Sequence, residues 1–310
     1  MKIRAAAAAA LSAGLLLTAC SGGAETTDQA TTEASTAEDT NADLSYDVSG
    51  VETVDEIAAM LPANLAEDGM LTIGASIDYP PAEFRAEDLQ TAIGYDVDLG
   101  KALGRVLGLE TEVAAADFAS ILPGIGSTYD IGISSFTVTG ERTASYNMIS
   151  YITVGSAYAV AAGNPNGFDP DAVCGQSIAV QTGTWQEEEL ATFSDDCTAA
   201  GEEAIEVLSY AAQSEATTNV VGGKAIAFYA DSTVSSYAVS LTNDQLEVVG
   251  GVRDALPQGI VVAQDNAELT EAIQAAMQHL MDDGTWDAIL TGWGIEDAAL
   301  ETAELNPVTE

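Results

Sequence analysis

The segment at residues 130–142 carries side chains that could bind a small anion. It reads Asp-Ile-Gly-Ile-Ser-Ser-Phe-Thr-Val-Thr-Gly-Glu-Arg, so a short apolar strand leads into a bend rich in hydroxyl groups. The hydroxyl groups, the backbone N–H groups of the bend and the Arg142 guanidinium would surround a single point. Such a set of hydrogen-bond donors suits a carboxylate, and Arg142 stands out in a chain that has few cations.

The charge of the chain excludes some functions. The 310 residues include 49 Asp and Glu against 8 Lys and Arg. Nucleic-acid binding needs clustered Lys and Arg, which this composition does not supply, and the negative charge also opposes adhesion to anionic lipid. The apolar fraction of 47% is sufficient for two lobes with cores of their own. The composition therefore indicates a globular protein that does not bind nucleic acid.

The N-terminus has the pattern of an export signal followed by a cysteine. Lys2 and Arg4 precede an apolar run, and the sequence Leu-Thr-Ala-Cys ends at Cys20. That tetrapeptide resembles a bacterial lipobox, which implies a signal peptide over residues 1–19 and a lipid on Cys20. An ordinary cleaved signal with an incidental cysteine is the alternative. Residues 20–49 are rich in Thr, Ala, Asp, Glu and Ser, which predicts a disordered acidic tether.

Alternating strand and helix patterns follow the tether. Apolar alternation predicts a strand at residues 70–77, and helical spacing of apolar residues predicts a helix at 94–108. A second strand at 109–113 and a buried strand at 131–134 continue the pattern. This alternation indicates an α/β fold, with a parallel sheet and helices on both faces.

Segments along most of the chain resemble those of family 3 extracellular solute-binding proteins, the amino-acid receptors of ATP-driven importers. Residues 130–142 form one such segment, and the ordered set spans about residues 70–295. The other segments are Ile-Gly at 73–74, Tyr-Pro-Pro at 79–81, Gly-Tyr-Asp-Val-Asp-Leu at 94–99, Val-Gln-Thr-Gly-Thr at 180–184, Ala-Asp-Ser at 230–232 and Asp-Gly-Thr-Trp at 283–286. The ordered set is more specific than any single segment.

The resemblance implies a two-lobed periplasmic-binding-protein-like fold of type II. Each lobe would be a mainly parallel sheet with flanking helices. The first part of lobe one is expected at residues 50–156, lobe two at 157–258, and the return to lobe one with the C-terminal tail at 259–310. Two crossover strands, expected around 151–162 and 259–263, would form the hinge.

The resemblance also implies ligand-binding residues on both lobes. Arg142 is expected to hold a ligand carboxylate in two charge-assisted hydrogen bonds, and Asp231 to accept the ligand ammonium. Asp231 could instead be only the N-cap of the helix that follows it. The remaining candidates are Ser134, Ser135, Thr137, Tyr79, Thr184, Trp185, Phe136 and Ser76.

The candidates Thr184, Tyr79, Phe136 and Trp185 are expected to shape the cleft in different ways. Thr184 begins the sequence Thr-Trp-Gln-Glu, a capping-box pattern with Glu187, which predicts that a helix N-terminus points into the cleft. Tyr79 is expected to lie against the ligand side chain. Phe136 and Trp185 are as compatible with a core position as with the pocket.

Two departures from the family pattern bear on the ligand side chain. Ser76 stands where receptors for basic amino acids commonly have Asp, and the nearby Asp78 is displaced by two positions. Trp185 replaces a hydroxyl residue that many members have, which makes part of the pocket apolar. An anionic side chain would need a second cation, which no motif places there. The sequence therefore favours a ligand with a neutral side chain.

Two cysteines and the absence of catalytic motifs complete the prediction. Cys174 and Cys197 lie in the predicted lobe two, where export permits a disulfide rather than idle thiols. Two cysteines without neighbouring histidines disfavour a zinc site, so neither a metal nor a cofactor is expected. The single histidine, His279, lies on the predicted C-terminal helix and is expected to be a surface residue. No nucleophile–base set or phosphate-binding glycine motif is visible.

The sequence therefore predicts a monomeric, non-enzymatic amino-acid receptor that is anchored to the outer face of the cell membrane only through its lipid. Its partners would be the ligand and the permease subunits of an ABC importer, which would recognise the closed form. Two alternatives stay open. One is an enzyme on the same fold, such as a cyclohexadienyl-dehydratase-like protein, and the other is a sensor lipoprotein that binds an amino acid without feeding a transporter.

Overall fold

The computed structural model describes residues 45–309. Two predictions lie outside these residues: the signal peptide at 1–19 and the lipid on Cys20. The tether predicted at 20–49 lies outside them up to residue 44. Its last five residues are not disordered: Tyr46 and Val48 pack against the core, and the Tyr46 amide donates to Asp98. Between residues 45 and 309 no helix combines the length and the apolar character that crossing a bilayer requires.

Strands and helices alternate along the described chain. The strands are β1 Met70–Ala75, β2 Phe84–Arg85, β3 Ala92–Ile93, β4 Glu110–Ala115, β5 Ile131–Gly132, β6 Tyr146–Ala161, β7 Ser177–Gln181, β8 Glu206–Tyr210, β9 Ala227–Asp231 and β10 Leu246–Ala263. The helices are α1 Asp55–Ala58, α2 Ala63–Asp68, α3 Tyr95–Leu107, α4 Phe118–Gly124, α5 Gly140–Thr143, α6 Trp185–Ala200, α7 Gln213–Val221, α8 Ser232–Leu241, α9 Ala267–Asp282 and α10 Thr285–Trp293. Short 3-10 turns lie at Val48–Gly50 and Glu296–Ala298.

In the described chain, eight strands form one mixed sheet in the order β4-β1-β5-β10-β6-β9-β7-β8. At one end β1 pairs in parallel with β4 and β5, and at the other β7 pairs in parallel with β8 and β9. The two middle strands, β6 and β10, are antiparallel to their neighbours. The predicted two-lobed α/β fold is confirmed: each outer group of strands, with its helices, is one lobe.

The strands β6 and β10 connect the two lobes. They have 16 and 18 residues, and they pair with each other along most of their length. Their register shifts three times, between Val249 and Arg253, between Arg253 and Leu256, and between Gln258 and Gly259. Because irregular pairing bends and twists a ladder, these shifts allow the sheet to change direction between the lobes.

Helix α3 shows how the local sequence determines an element. The predicted helix at 94–108 is confirmed as Tyr95–Leu107, with Gly94 before it and Gly108 after it. Gly94 has φ +130°, and a Cβ at this position would collide with the carbonyl of Ala82. Gly108 adopts the left-handed conformation that ends many helices. The helix therefore begins and ends where glycine is required.

A disulfide joins two parts of the second lobe. Cys174 and Cys197 are bonded, with a Cα–Cα distance of 5.6 Å, which confirms the predicted pairing. The bond connects the turn before β7 to α6. It closes a segment with a sequence separation of 23 residues.

We predict that the double variant Cys174→Ser/Cys197→Ser has a lower free energy of unfolding. A loop of this length limits the unfolded chain enough for a difference of about 3 kcal/mol. Urea denaturation of the two proteins measures it. Reductant should destabilise the natural protein and leave the double variant unchanged; an equal response of both proteins would contradict the stabilising role.

Candidate functional site

A small cavity lies between the two lobes. It leaves about 10 Å³ for the centres of water-sized molecules, which is space for about one water. A larger ligand could therefore enter only if the lobes separated. The first lobe contributes Tyr79, Phe118, Ser134, Ser135, Thr137 and Arg142, and the second lobe contributes Thr184, Trp185, Gln186 and Asp231.

Arg142 is the cation of the cavity and is 7% exposed. Its Nη1 donates to the carbonyl of Thr137 at 2.9 Å, and its Nη2 donates to the carbonyl of Gly183, on the opposite lobe, at 3.1 Å. The Thr139 side chain caps α5 by accepting a hydrogen bond from the Arg142 amide. A guanidinium has five N–H donors, so further donors remain for a ligand after these two bonds.

Two aromatic rings hold the guanidinium in place. The Arg142 Cζ lies 5.9 Å from the ring centres of both Phe118 and Phe136, and the two rings stack on each other at 4.8 Å. Phe136 is fully buried and does not line the cavity, whereas Phe118 does. Phe118 was not among the residues predicted from the sequence. Burial lowers the pKa of Arg142, and the charge of Asp231 acts in the opposite direction.

Asp231 is the buried acid of the cavity and is 3% exposed. Its Oδ1 accepts a hydrogen bond from Gln186 Nε2 at 2.8 Å, and its Oδ2 accepts one from Gln258 Nε2 at 2.7 Å. Although Asp231 occupies the N-cap position of α8, its side chain makes no capping hydrogen bond among the described residues. Burial raises the pKa of Asp231 to about 6, against the opposing effect of the two amide donors and Arg142.

The two glutamines that hold Asp231 were missed by sequence analysis. Gln186 lies in the first turn of α6, and Gln258 lies on β10 directly before its apolar end. Both are buried. A glutamine in front of an apolar strand needs a buried partner, and this was the available signal for Gln258. The partner itself lies 27 residues away along the chain.

The predicted capping box of α6 is confirmed. Thr184 Oγ1 accepts a hydrogen bond from the amide of Glu187 at 3.3 Å, and Glu187 Oε2 accepts one from the amide of Gly183 at 2.6 Å. The 16-residue helix therefore begins at the cavity, where its N-terminus favours negative charge. Trp185 lines the cavity, and its indole N–H is buried without a partner in the described part of the chain.

Tyr79 and Ser76 make hydrogen bonds between the lobes. The Tyr79 hydroxyl accepts one from the amide of Asp231 at 3.1 Å, and Tyr79 lines the cavity. Ser76 Oγ accepts one from Gln181 Nε2 at 3.3 Å. Ser76 lines a neighbouring groove rather than the cavity. These bonds stabilise the closed arrangement.

The hydroxyl-rich bend lines the cavity, but two of its hydroxyls face the first lobe. Ser134 Oγ donates to Glu83 at 2.6 Å, and Ser135 Oγ lies 3.3 Å from its acceptor, an Asp96 oxygen. Thr137 presents its carbonyl to Arg142. The bend therefore surrounds the cavity as the sequence predicted, while the serine hydroxyls already have acidic partners.

The groove beside the cavity has a volume of about 630 Å³ and is lined by both lobes. Asp78 crosses it: its Oδ2 accepts hydrogen bonds from the amide and the hydroxyl of Ser214, at 3.1 and 3.2 Å. Gln213 Oε1 is buried and lacks a hydrogen-bond partner within residues 45–309. Burial raises the pKa of Asp78. This corner of the groove is therefore rich in acceptors.

Within the described residues, no group of three or more His, Cys, Asp or Glu side chains could hold a metal ion. The fold and cavity define a two-lobed binding protein with oppositely charged groups on facing lobes. The sequence at residues 71–296 matches the family model of bacterial extracellular solute-binding proteins, family 3. The chain belongs to this family, which confirms the resemblance seen in its sequence.

Relatives with known names support the same class. An arginine-binding protein of Corynebacterium glutamicum is 39% identical over 257 residues, covering 82% of this chain and 84% of the relative. The L-cystine-binding protein of Escherichia coli K12 is 25% identical over 256 residues, covering 79% and 93%. A solved ancestral arginine-binding protein bound to arginine has 29% identity and a TM-score of 0.68, covering 73% and 98%. These are binding proteins, in agreement with the prediction that the chain is not an enzyme.

We predict that Gln258→Leu raises the pKa of Asp231 above its value of about 6. The variant removes a donor that stabilises the ionised carboxylate, so the neutral acid is favoured. NMR titration of the Asp231 side-chain carboxyl carbon in the ligand-free protein measures the change. Gln264→Leu, an exposed glutamine on the turn after β10, is the control, and an unchanged Asp231 pKa in Gln258→Leu would argue against the assigned contact.

Proposed function

We propose that the protein is the substrate-binding component of an ABC importer and binds a free amino acid between its lobes. One observation carries this proposal: Arg142 and Asp231, from opposite lobes, line one buried cavity. A free amino acid has a carboxylate and an ammonium on the same carbon. A cation and an acid on facing walls are the complementary pair for such a zwitterion.

The surroundings of each charged residue support this assignment. The unused N–H donors of Arg142 and the N-terminus of α6 favour a ligand carboxylate. Asp231 has a single negative charge that two neutral amides already orient, and a ligand ammonium would neutralise it. Because burial raises the pKa of Asp231 to about 6, we expect an ammonium ligand to bind more weakly below this pH.

Closure of the lobes would couple binding to transport. The hydrogen bonds from Arg142 to Gly183 and from Asp231 to Tyr79 join the lobes, and both lie next to the cavity. A ligand that binds both lobes stabilises the closed form relative to an open one. The permease subunits would recognise that form. The hinge would separate lobe one, at 50–156 and 259–310, from lobe two, at 157–258.

The proposal includes the cellular setting that the N-terminal sequence indicates. The chain would be exported by the signal at residues 1–19 and held at the outer face of the membrane by a lipid on Cys20. It would act as a monomer. Membership of a family of extracellular solute-binding proteins supports the export of the chain.

The ligand side chain has two candidates. A neutral side chain, which the sequence favoured, stays a prediction. A cationic side chain is favoured by the acceptors Asp78 and Gln213 in the groove beside the cavity, because a guanidinium would satisfy the unpaired Gln213 Oε1. Two of the relatives above are named for arginine. We therefore put arginine ahead of a neutral amino acid.

A thermal-shift screen of the purified protein against the twenty amino acids tests the proposed function. A ligand at about 100 times its dissociation constant should add about 2.7 kcal/mol of stability. Arg142→Lys should weaken binding about ten- to hundredfold, because Lys cannot form the planar pair of charge-assisted bonds. Arg105→Lys, an exposed arginine on α3, is the control.

Two results of this screen would count against the proposal. One is the absence of a shift with every amino acid after the protein has been unfolded and refolded to remove retained ligand. The other is a ligand whose affinity is unaffected by Arg142→Lys. Turnover of an amino-acid-like substrate would instead favour the enzyme alternative.

Asp78→Asn tests the side-chain assignment. If arginine is the ligand, this variant should weaken L-arginine binding by about tenfold or more, since a charge-assisted bond is lost. Isothermal titration calorimetry measures the change. Asp117→Asn removes the same charge from an exposed position on the same groove and should have a small effect. A melting-temperature shift with neutral amino acids but not with arginine would instead support the neutral side chain.

A further inference from the structure

Two carboxyl groups lie side by side behind the bend that lines the cavity. Glu83 is 0% exposed and Asp96 is 1% exposed. Glu83 follows the Tyr-Pro-Pro segment, and Asp96 lies in the first turn of α3. Neither was among the residues assigned to the ligand. Two ionised carboxylates at this depth would repel each other without water to screen them.

One oxygen of each carboxyl group has partners on the bend or near it. Glu83 Oε1 accepts a hydrogen bond from Ser134 Oγ at 2.6 Å. Asp96 Oδ2 accepts one from the amide of Ser135 at 2.8 Å and one from the Tyr151 hydroxyl at 3.0 Å. The two serines are consecutive, so each carboxyl group holds one residue of the bend.

The other oxygen of each group lacks a donor. Glu83 Oε2 and Asp96 Oδ1 are fully buried, and no donor for either is present between residues 45 and 309. Because their partners Ser134 and Ser135 are consecutive, the two carboxyl groups lie close together, and each changes the pKa of the other. A single proton shared by the two carboxyl groups would make one of them a donor and leave the other an acceptor.

In the described part of the chain, neither acid forms an ion pair with a Lys, Arg or His side chain. The titratable groups that face the pair are Tyr79, Tyr95 on α3, Tyr151 on β6 and Asp231 at the end of β9. These are phenols and one further acid. Burial raises the pKa of Asp96 to about 7 and raises that of Glu83 well above its usual range. Both effects favour retention of a proton by the pair.

We propose that Glu83 and Asp96 share a proton, and that this proton holds the Ser134–Ser135 bend in its ligand-binding conformation. Ser135 has φ +51°, a left-handed conformation that is unfavourable for a residue other than glycine. The bend therefore needs anchors on both of its serines. These anchors are the hydrogen bonds of Glu83 to Ser134 and of Asp96 to Ser135. The shared proton makes them possible, because it allows the two acids to be buried next to each other. Glu83 and Asp96 are thus positioning residues and do not contact the ligand themselves.

The first test counts the proton. An acid with a raised pKa holds a proton in the folded protein that the unfolded chain releases, so stability decreases as the pH rises above the ordinary Glu pKa. For one proton, the unfolding equilibrium constant rises about tenfold per pH unit. In Glu83→Gln, the amide can donate to Asp96 without titrating. Between about pH 6 and 8, we therefore expect the unfolding equilibrium constant of this variant to lose the rise of about tenfold per pH unit that one proton causes.

Glu87→Gln is the matched control for this test. Glu87 is exposed and lies four residues after Glu83, so the variant changes the same charge without changing the pair. Urea denaturation at a series of pH values, at constant moderate salt, gives the slopes of the three proteins. The proposal requires that Glu87→Gln retain the slope of the natural protein. Equal slopes in the natural protein and Glu83→Gln would overturn it.

The second test connects the proton to the bend. Hydrogen exchange of the Ser135 amide, which donates to Asp96, reports this anchor directly. In the natural protein, the protection of the Ser135 amide should fall at least tenfold at alkaline pH. The reference is the amide of Ile133, directly after β5, which donates to the Gly74 carbonyl. Glu83→Gln should keep the protection. Equal pH dependence in both proteins would show that the proton does not hold the bend.

These measurements are made on the protein without added ligand. Their outcome is therefore independent of the amino acid that the protein binds. If the screen described above found no ligand while both tests succeeded, the acid pair would stand and the proposed function would not.

Discussion

The arrangement of this protein depends on burying two opposite charges on facing walls of one cavity. A charged group removed from water is unfavourable unless hydrogen bonds and an opposite charge compensate for it. Arg142 is compensated by two carbonyls and two aromatic rings, and Asp231 by two glutamine amides. Part of that compensation comes from the opposite lobe, so it is complete only when the lobes are closed. Under the proposed function, the same requirement would favour a ligand that carries both charges.

The sheet delivers these groups to one place. The bend with Ser134 follows β5, the capped start of α6 follows β7, and Asp231 ends β9. In open α/β sheets, ligands bind beyond the carboxyl ends of the strands, where loops and helix N-termini meet. The antiparallel pair β6 and β10 sets the two groups of parallel strands against each other. Under the proposed function, closure of the lobes would bend the paired strands β6 and β10, which both lobes share.

An acidic chain has to manage its own carboxylates at this site. The sequence has 49 acids, and three of them, Glu83, Asp96 and Asp231, are buried near the cavity. The Asp231 carboxylate is stabilised by two glutamine amides and, under the proposed function, would be neutralised by a ligand ammonium. The other two form no ion pair within residues 45–309, and the shared proton proposed above would allow them to stay buried together. On this interpretation, the cavity contains one cation and one ionised acid, and the proton-sharing pair lies behind its wall.

The sequence by itself determined the features that depend on neighbouring residues. Glycines bounded α3, a capping box began α6, and the ordered motifs identified the family and the two charged candidates. The tertiary structure decided which side chains meet: Gln186 and Gln258 with Asp231, and the acid pair with the bend. It also placed Phe136 behind Arg142 instead of in the cavity wall. These contacts join residues that are 27 to 51 positions apart, except for Phe136 and Arg142. Their geometry depends on how the strands and lobes pack, which local sequence signals do not encode.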